Sequence, residues 1–198
     1  MNRTPAILSV LAILCLSTLH ADQESPARRR PCPIGIAIVE EAQFPADDVD
    51  IMGMRLCFLY GRCANMYGLD MGIFGCAVDG NVFGLQLSGI LNDIGSGTGT
   101  LQFAGIINNC SGEFYGCQLA GIACYDGDEI RGGQLSIFNS AQKLVGAQVG
   151  VFNMTESTMG VQIGLINITD KMKGLQLGVV NIIKQNKASF VPIVNMYF

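Results

Sequence analysis

Asp126-Gly127-Asp128-Glu129 is a dense group of carboxylates, and Asp47, Asp48 and Asp50 form a second acidic segment. Clustered carboxylate oxygens are what calcium takes as ligands, and Asp126 and Asp128 would have to carry any acid–base chemistry. Solvated turns make the same pattern, and that is the reading adopted for both segments. Arg55 and Asp70 sit in equivalent slots of neighbouring repeat units. They are expected to pair across a sheet in a structural role. The one histidine, His20, lies within residues 1–21, read below as a secretory signal, so the remainder of the chain has no imidazole for a triad, a proton shuttle or a metal. No P-loop or dinucleotide-binding phrase is present. Beyond Cys15 there are Cys32, Cys57, Cys63, Cys76, Cys110, Cys117 and Cys124, with no C-x-x-C pair to suggest zinc. Cys57, Cys76 and Cys117 suit buried strand positions best. The odd number leaves at least one thiol free or paired between chains. No catalytic, cofactor-binding or metal residue is assigned, and the chain reads as non-enzymatic.

What positions these residues is a repeat. The phrase Gly–apolar–Gln–apolar–small–apolar–apolar–Asn recurs, most cleanly as Gly146-Ala-Gln-Val-Gly-Val-Phe-Asn153, Gly160-Val-Gln-Ile-Gly-Leu-Ile-Asn167 and Gly174-Leu-Gln-Leu-Gly-Val-Val-Asn181. Its Gln slot is filled by Arg55, Asp70, Gln86, Gln102, Gln118, Gln134, Gln148, Gln162 and Gln176, at spacings of 15, then 16 four times, then 14 three times. Thr100 replaces the leading Gly in the fourth unit, and Cys124 replaces the closing Asn in the fifth. These nine slots define a repeated face.

Composition bounds the rest. The chain has 198 residues, 49% apolar and only 14% charged, which is not the composition of a disordered chain. A net charge of −4 without a basic face argues against a nucleic-acid partner. Residues 1–21 read as a secretory signal, with Arg3, an apolar stretch from Ala6 to Leu16, and Ala21 before a cleavage point. Residues 22–32, including Arg28-Arg29-Arg30, read as a polar linker, and residues 33–198 as a single β-repeat domain.

Apolar residues within the phrase alternate. In the last unit Leu175, Leu177 and Val179 take one face, and Gly174, Gln176, Gly178 and Val180 the other, which is the period of a strand. Alternation from Met172 to Ile182 predicts a strand, and Lys184-Gln185-Asn186-Lys187, Asp170-Lys171 and Thr155-Glu156-Ser157 read as the turns between strands. Only Arg55 and Asp70 place a charge inside the phrase. The leading expectation is therefore an all-β antiparallel meander of about 10–12 strands closed into an outer-membrane barrel, apolar outside and Gln-lined within. Strands of about 11 residues tilted by about 45° would rise about 26 Å, near the ~25 Å apolar band of such barrels. Tyr67, Phe83 and Tyr115 would form its aromatic belt. Ile34 to Val39 and Phe190 to Phe198 are candidate flanking strands, and a terminal Tyr-Phe is a kind of ending that outer-membrane assembly machinery recognises. The alternative is a β-solenoid of 14–16-residue coils, in which the Gln, Gly and Asn columns become ladders. Asn153-Met-Thr155 and Asn167-Ile-Thr169 match the glycosylation sequon.

Gly-Leu-Gln-Leu-Gly-Val-Val-Asn and Gly-Val-Gln-Ile-Gly-Leu-Ile-Asn resemble the phrases of the leptospiral-type surface-repeat family of bacterial envelope proteins. So do Asp47-Asp-Val-Asp-Ile-Met-Gly-Met-Arg-Leu, Leu59 to Arg62, Tyr67 to Gly72, and Pro192 to Phe198. The resemblance spans roughly residues 33–198. It implies an exported protein at the outer membrane or surface of a diderm bacterium, with a structural, adhesive or display role, and supplies no catalytic residues. Membrane lipid and the assembly machinery are the expected partners of a barrel. A secreted binding or adhesion module is the counterpart for a solenoid.

Overall fold

A computed structural model describes residues 31–186 and 188–197. The expected signal, nearly all of the polar linker, Lys187 and Phe198 lie outside the described residues. From Cys32–Val39 to Ile193–Tyr197 the described chain is all β, fifteen strands in one continuous sheet system. Successive repeat units pair in parallel and in register. Gly132, Gln134 and Asn139 lie beside Gly146, Gln148 and Asn153, and these beside Gly160, Gln162 and Asn167. The molecule is a β-solenoid of about ten coils, which corrects the expected barrel and its antiparallel meander. The Gln column runs unbroken from Arg55 beside Asp70 to Gln162 beside Gln176, so all nine repeat slots stack into the ladder expected of the solenoid alternative.

The reason for the correction is where the chain turns. The phrase was expected to be one straight strand, but each coil bends inside it. The strand Ile166–Gly178 ends after the small residue, and Val180–Ile183 begins a new one. Gln176 and Asn181 are both fully buried. Five residues apart, they would face opposite sides of a straight strand. A bend at Gly178-Val179 turns both inward. Conversely, the acidic and basic residues read as turns fall inside strands: Thr155-Glu156-Ser157 within Phe152–Ile163, and Asp170-Lys171 within Ile166–Gly178. The turn at Lys184-Gln185-Asn186 is present, with Asn186 N–H donating to Ile183 O.

The leading glycine of each phrase is required by the stacking. Gly160 and Gly174 have φ of 146° and 143°, and a Cβ on either would collide with the carbonyl oxygen of Gly146 or Gly160 in the coil before. Thr100 escapes this because Gly99, at φ 67°, shifts the register of pairing around it. The fold's ends are closed by antiparallel strands. Ala42–Phe44 folds back on Cys32–Val39. Ile193–Tyr197 covers Gly174–Gly178 and sets Asn195 opposite Gln176. An open solenoid end would be a pairing edge, and these two strands cover both. Of the two flanking segments expected to be strands, Ile34 to Val39 belongs to a coil strand paired in parallel with Ile51–Cys57, and Ile193–Tyr197 is the C-terminal cap; neither is a barrel stave.

Inside, the coil has two zones. Around the bend lie the Gln and Asn columns. Toward the opposite edge lies an aliphatic and aromatic core with Ile51, Met66, Val82, Ile94, Phe114, Ile130 and Leu144. Outside, the zones are reversed: apolar at the bend, charged at the far edge.

Candidate functional site

The Gln column is a single hydrogen-bonded spine. Gln176 Nε2 donates to Gln162 Oε1 at 2.8 Å, Gln162 to Gln148 at 2.9 Å, Gln148 to Gln134 at 2.6 Å, Gln134 to Gln118 at 3.1 Å, Gln118 to Gln102 at 3.0 Å, and Gln102 to Gln86 at 2.8 Å. Every donor points toward the N-terminal coils. The chain of amides ends where Gln86 Nε2 donates to Asp70 Oδ2 at 2.9 Å. Asp70 in turn accepts from Arg55 Nε at 2.8 Å and Arg55 Nη2 at 2.7 Å, the expected pair, held in a fork. Arg55 Nη2 also donates to Ala77 O at 3.0 Å. Burial works against the guanidinium's charge, but Asp70 outweighs it and holds Arg55 above its ordinary pKa. The repeat-face residues are therefore interior and structural. They line no lumen.

A second column runs beside the first with the opposite polarity. Asn139 Nδ2 donates to Asn153 Oδ1 at 2.9 Å, Asn153 to Asn167 at 2.8 Å and Asn167 to Asn181 at 2.7 Å, toward the C-terminus. Each also donates to a main-chain carbonyl of the next bend, such as Val149 O, Ile163 O and Leu177 O, all at 2.9 Å. The two sequon asparagines, Asn153 and Asn167, are members of this column and 1% and 0% exposed, so the folded coil offers neither for glycosylation.

Two acidic segments resolve differently. Asp47 and Asp48 are exposed, as a solvated loop should be, and Asp50 Oδ1 accepts from Asn65 Nδ2 at 2.7 Å. Asp126 departs from the expected solvated turn. It follows Cys124 into the coil interior, 1% exposed, between Cys110 and Ala141 of the neighbouring coils. Gln134 Nε2 donates to Asp126 Oδ2 at 2.5 Å and Gln118 Nε2 to Oδ1 at 3.4 Å. Desolvation dominates, opposed by hydrogen bonds from Cys110 and the two glutamines, and pushes its pKa up to about 7. Strand alternation counted from Cys124 would have put Asp126 inside.

Among the cysteines, Cys57, Cys63, Cys76, Cys110 and Cys124 are buried, Cys32 is half-buried, and Cys117, expected to be buried, is exposed. Cys57, Asp70 and Cys76 bring two sulfurs and a carboxylate oxygen within 4.8 Å of one another. The donor set does not suit a cation. Both Asp70 oxygens already accept N–H donors, and one of these groups is a guanidinium carrying its own positive charge.

The outer surface holds the other candidate. Residues flanking each Gln and each bend face outward and are apolar in coil after coil. Phe103, Leu135, Val149 and Ile163 form one row, and Ile90, Ile122, Ile137, Leu165 and Val179 another, with Leu165 at 56% and Val179 at 63% exposed. Phe138 and Phe152 stack with ring centroids 4.8 Å apart beside them. At the N-terminal end the rows enclose an apolar groove of about 520 Å3, lined by Leu56, Phe58, Met71, Ile73, Leu87 and Phe103, with Cys57 on its wall. Tyr67 and Phe83 are exposed along the same flank. Charge gathers on the far edge, as in the Arg62–Asp79 and Lys184–Asp170 ion pairs. No described helix is long and apolar enough to cross a membrane, which says nothing of strands.

The chain matches no family model, no curated protein and no solved structure.

Proposed function

We propose that this is a non-enzymatic β-solenoid acting as a binding and adhesion module, and that its apolar edge docks on lipid. The observation that carries the reading is the continuous row of aliphatic side chains along one edge. At about 4.8 Å per coil, nine coils make a strip about 40 Å long. Soluble monomers rarely expose an apolar patch larger than a few hundred Å2 without a partner for it. Aliphatic chemistry without charge fits acyl chains. With a net charge of −4, attraction to anionic headgroups is not the driving force. The N-terminal groove is of a size that holds a short length of acyl chain. Export to the envelope of a diderm bacterium belongs to this reading too, supported by the N-terminal apolar segment and the resemblance of the repeat phrases.

The test is co-flotation of the purified mature chain with phosphatidylcholine vesicles. Binding is expected, retained in 0.5 M salt, and reduced by the double substitution Leu135→Glu with Ile163→Glu. Protein that stays at the bottom of the gradient, or that leaves the vesicles when salt is raised, would refute lipid as the ligand.

A further inference from the structure

We infer that Cys57 and Cys76 are a redox-active dithiol that closes to a disulfide, stapling the first two coils through their interior. The inference does not depend on the lipid reading. Cys57 lies two residues beyond the Arg55 slot, and Cys76 occupies the Asn slot of the next coil, in register with Gly61 and Asn92. The positions that would separate them are both glycine. A Cβ on Gly61 would lie 2.6 Å from Cys57 Sγ, and a Cβ on Gly72 would lie 2.6 Å from Cys76 Sγ. Cysteines on one diagonal and glycines on the other leave the sulfurs facing each other, within 4.8 Å. Other coils have no such pair. Where Cys57 stands, they carry Ser88, Ala104 and Ala120, and where Cys76 stands, Asn92 and Asn108.

The surroundings assign the two sulfurs different parts. Cys57 borders the apolar groove and Cys76 does not, but Cys57 is only 2% exposed, so a reagent meets it first when the coil opens locally at the groove. The thiol of Cys76 donates to it, and the Arg55 guanidinium favours its thiolate, so its pKa is lowered. Arg55 Nη1 is buried without an acceptor among the described residues, a donor left over for a nearby negative charge. Cys76 is held well above the ordinary thiol pKa by the same hydrogen bond and by burial. The oxidant is a small-molecule disulfide. Cys57 thiolate attacks one of its sulfurs, forming a mixed disulfide and expelling one thiolate. Cys76 then gives up its proton and attacks the Cys57 sulfur, expelling the second. Two electrons leave the protein dithiol, and the two protons end on the two released thiols.

The experiment oxidises the reduced full chain with glutathione disulfide, quenches in acid, alkylates free thiols and digests with trypsin plus an Asp-specific protease. Cleavage places Cys57 alone in Leu56–Arg62 and Cys76 alone in Asp70–Val78. The expected product is these two peptides joined, lighter than their sum by two hydrogens, and separated again by reductant. Cys76→Ala should trap glutathione on Cys57, whereas Cys57→Ala should leave Cys76 unmodified. Recovery of both peptides in alkylated form after oxidation, or Cys57 joined to Cys63 instead, would overturn the assignment. The wild-type peptide map decides the matter even where a variant fails to fold.

Discussion

Replacing Asp126 with Asn removes a carboxyl group that the fold keeps from water. In the unfolded chain it titrates near ~3.9, and in the coil its pKa is about 7. The folded state therefore holds a proton that the unfolded state has released across that window. Stability falls as pH rises from about 4 to about 7 and is level above, the reverse of the usual carboxylate. Three units at about 1.4 kcal/mol each give about 4 kcal/mol lost on ionisation. Asn keeps the shape, and its Oδ1 can still accept from Gln134 Nε2 while having no proton to lose. Urea unfolding at pH 4.5, 6 and 8 is the assay, read as the difference between parent and variant so that other groups cancel. The neighbouring thiols stay neutral over this range, since burial raises Cys110 above its ordinary value and Cys124 to about 12. Glu156, Asp170 and Lys184 line the shallow outer groove that Asp126 borders, and they are common to both proteins. The variant should match the parent within about 1 kcal/mol at pH 4.5 and exceed it by about 2–4 kcal/mol at pH 8. A difference that does not change with pH, or one that favours the parent at pH 8, would mean that Asp126 is ionised in the folded state and that its hydrogen bonds outweigh burial.

Gln162→Leu should destabilise by about 2–4 kcal/mol in denaturant melts, because Gln148 Oε1 and Gln176 Nε2 each lose a buried partner. Gly160→Ala should destabilise by about 3 kcal/mol or more through the collision with Gly146 O, and hydrogen exchange should show the loosening centred on that coil. Oxidising Cys57 and Cys76 should raise stability by about 3 kcal/mol for a loop of this length, measured as the gap between oxidised and reduced melts and absent in Cys76→Ala. Leu165→Glu, at an outward position already 56% exposed, should leave stability within about 1 kcal/mol while weakening vesicle binding, a separation that a core role for Leu165 would not give.

Much of this was legible in the sequence, and the missing part has a specific cause. A spacing of 14–16 residues put Arg55, Asp70 and seven glutamines into one slot, and the structure stacks all nine. The Arg55–Asp70 pair, the strand period and the outward apolar face followed from the same pattern. The barrel came from reading charge. A strand phrase without charge is the lipid-facing pattern, yet a coil whose polar side chains are turned inward and paired with their own kind looks identical at that level. Parity would have separated the two. Gln162 and Asn167 are five residues apart, so a straight strand would put one amide on the apolar side, and only a bend puts both inside. In the earlier coils, such as Gln86 to Asn92, the spacing is six, and that signal is lost. The Cys57–Cys76 approach was not legible because it depends on which coil each residue enters and on glycines at Gly61 and Gly72, which look like any other glycine in a chain with 25.

The direction of the glutamine spine also has a cause in the first two units, where charge replaces amide. A stack of glutamines alone can donate either way along its length with equal energy. Asp70 removes that freedom. An ionised carboxylate only accepts, so Gln86 must present Nε2 to it, which turns Gln86 Oε1 toward Gln102, and each later amide inherits the choice. Six aligned amide links then place their positive ends toward a negative group, which is the favourable orientation. Arg55 completes the arrangement by neutralising the carboxylate that a bare end would leave buried. The opposite end shows the consequence. Gln176 Oε1 is buried and has no hydrogen-bond partner among the described residues, and Asn195 of the capping strand lies opposite Gln176 in register. The two ends of the spine are therefore not equivalent: one is fixed by an ion pair and the other is left a donor short. The buried Arg55–Asp70 pair thus sets the direction of the amide spine along the interior of the repeat.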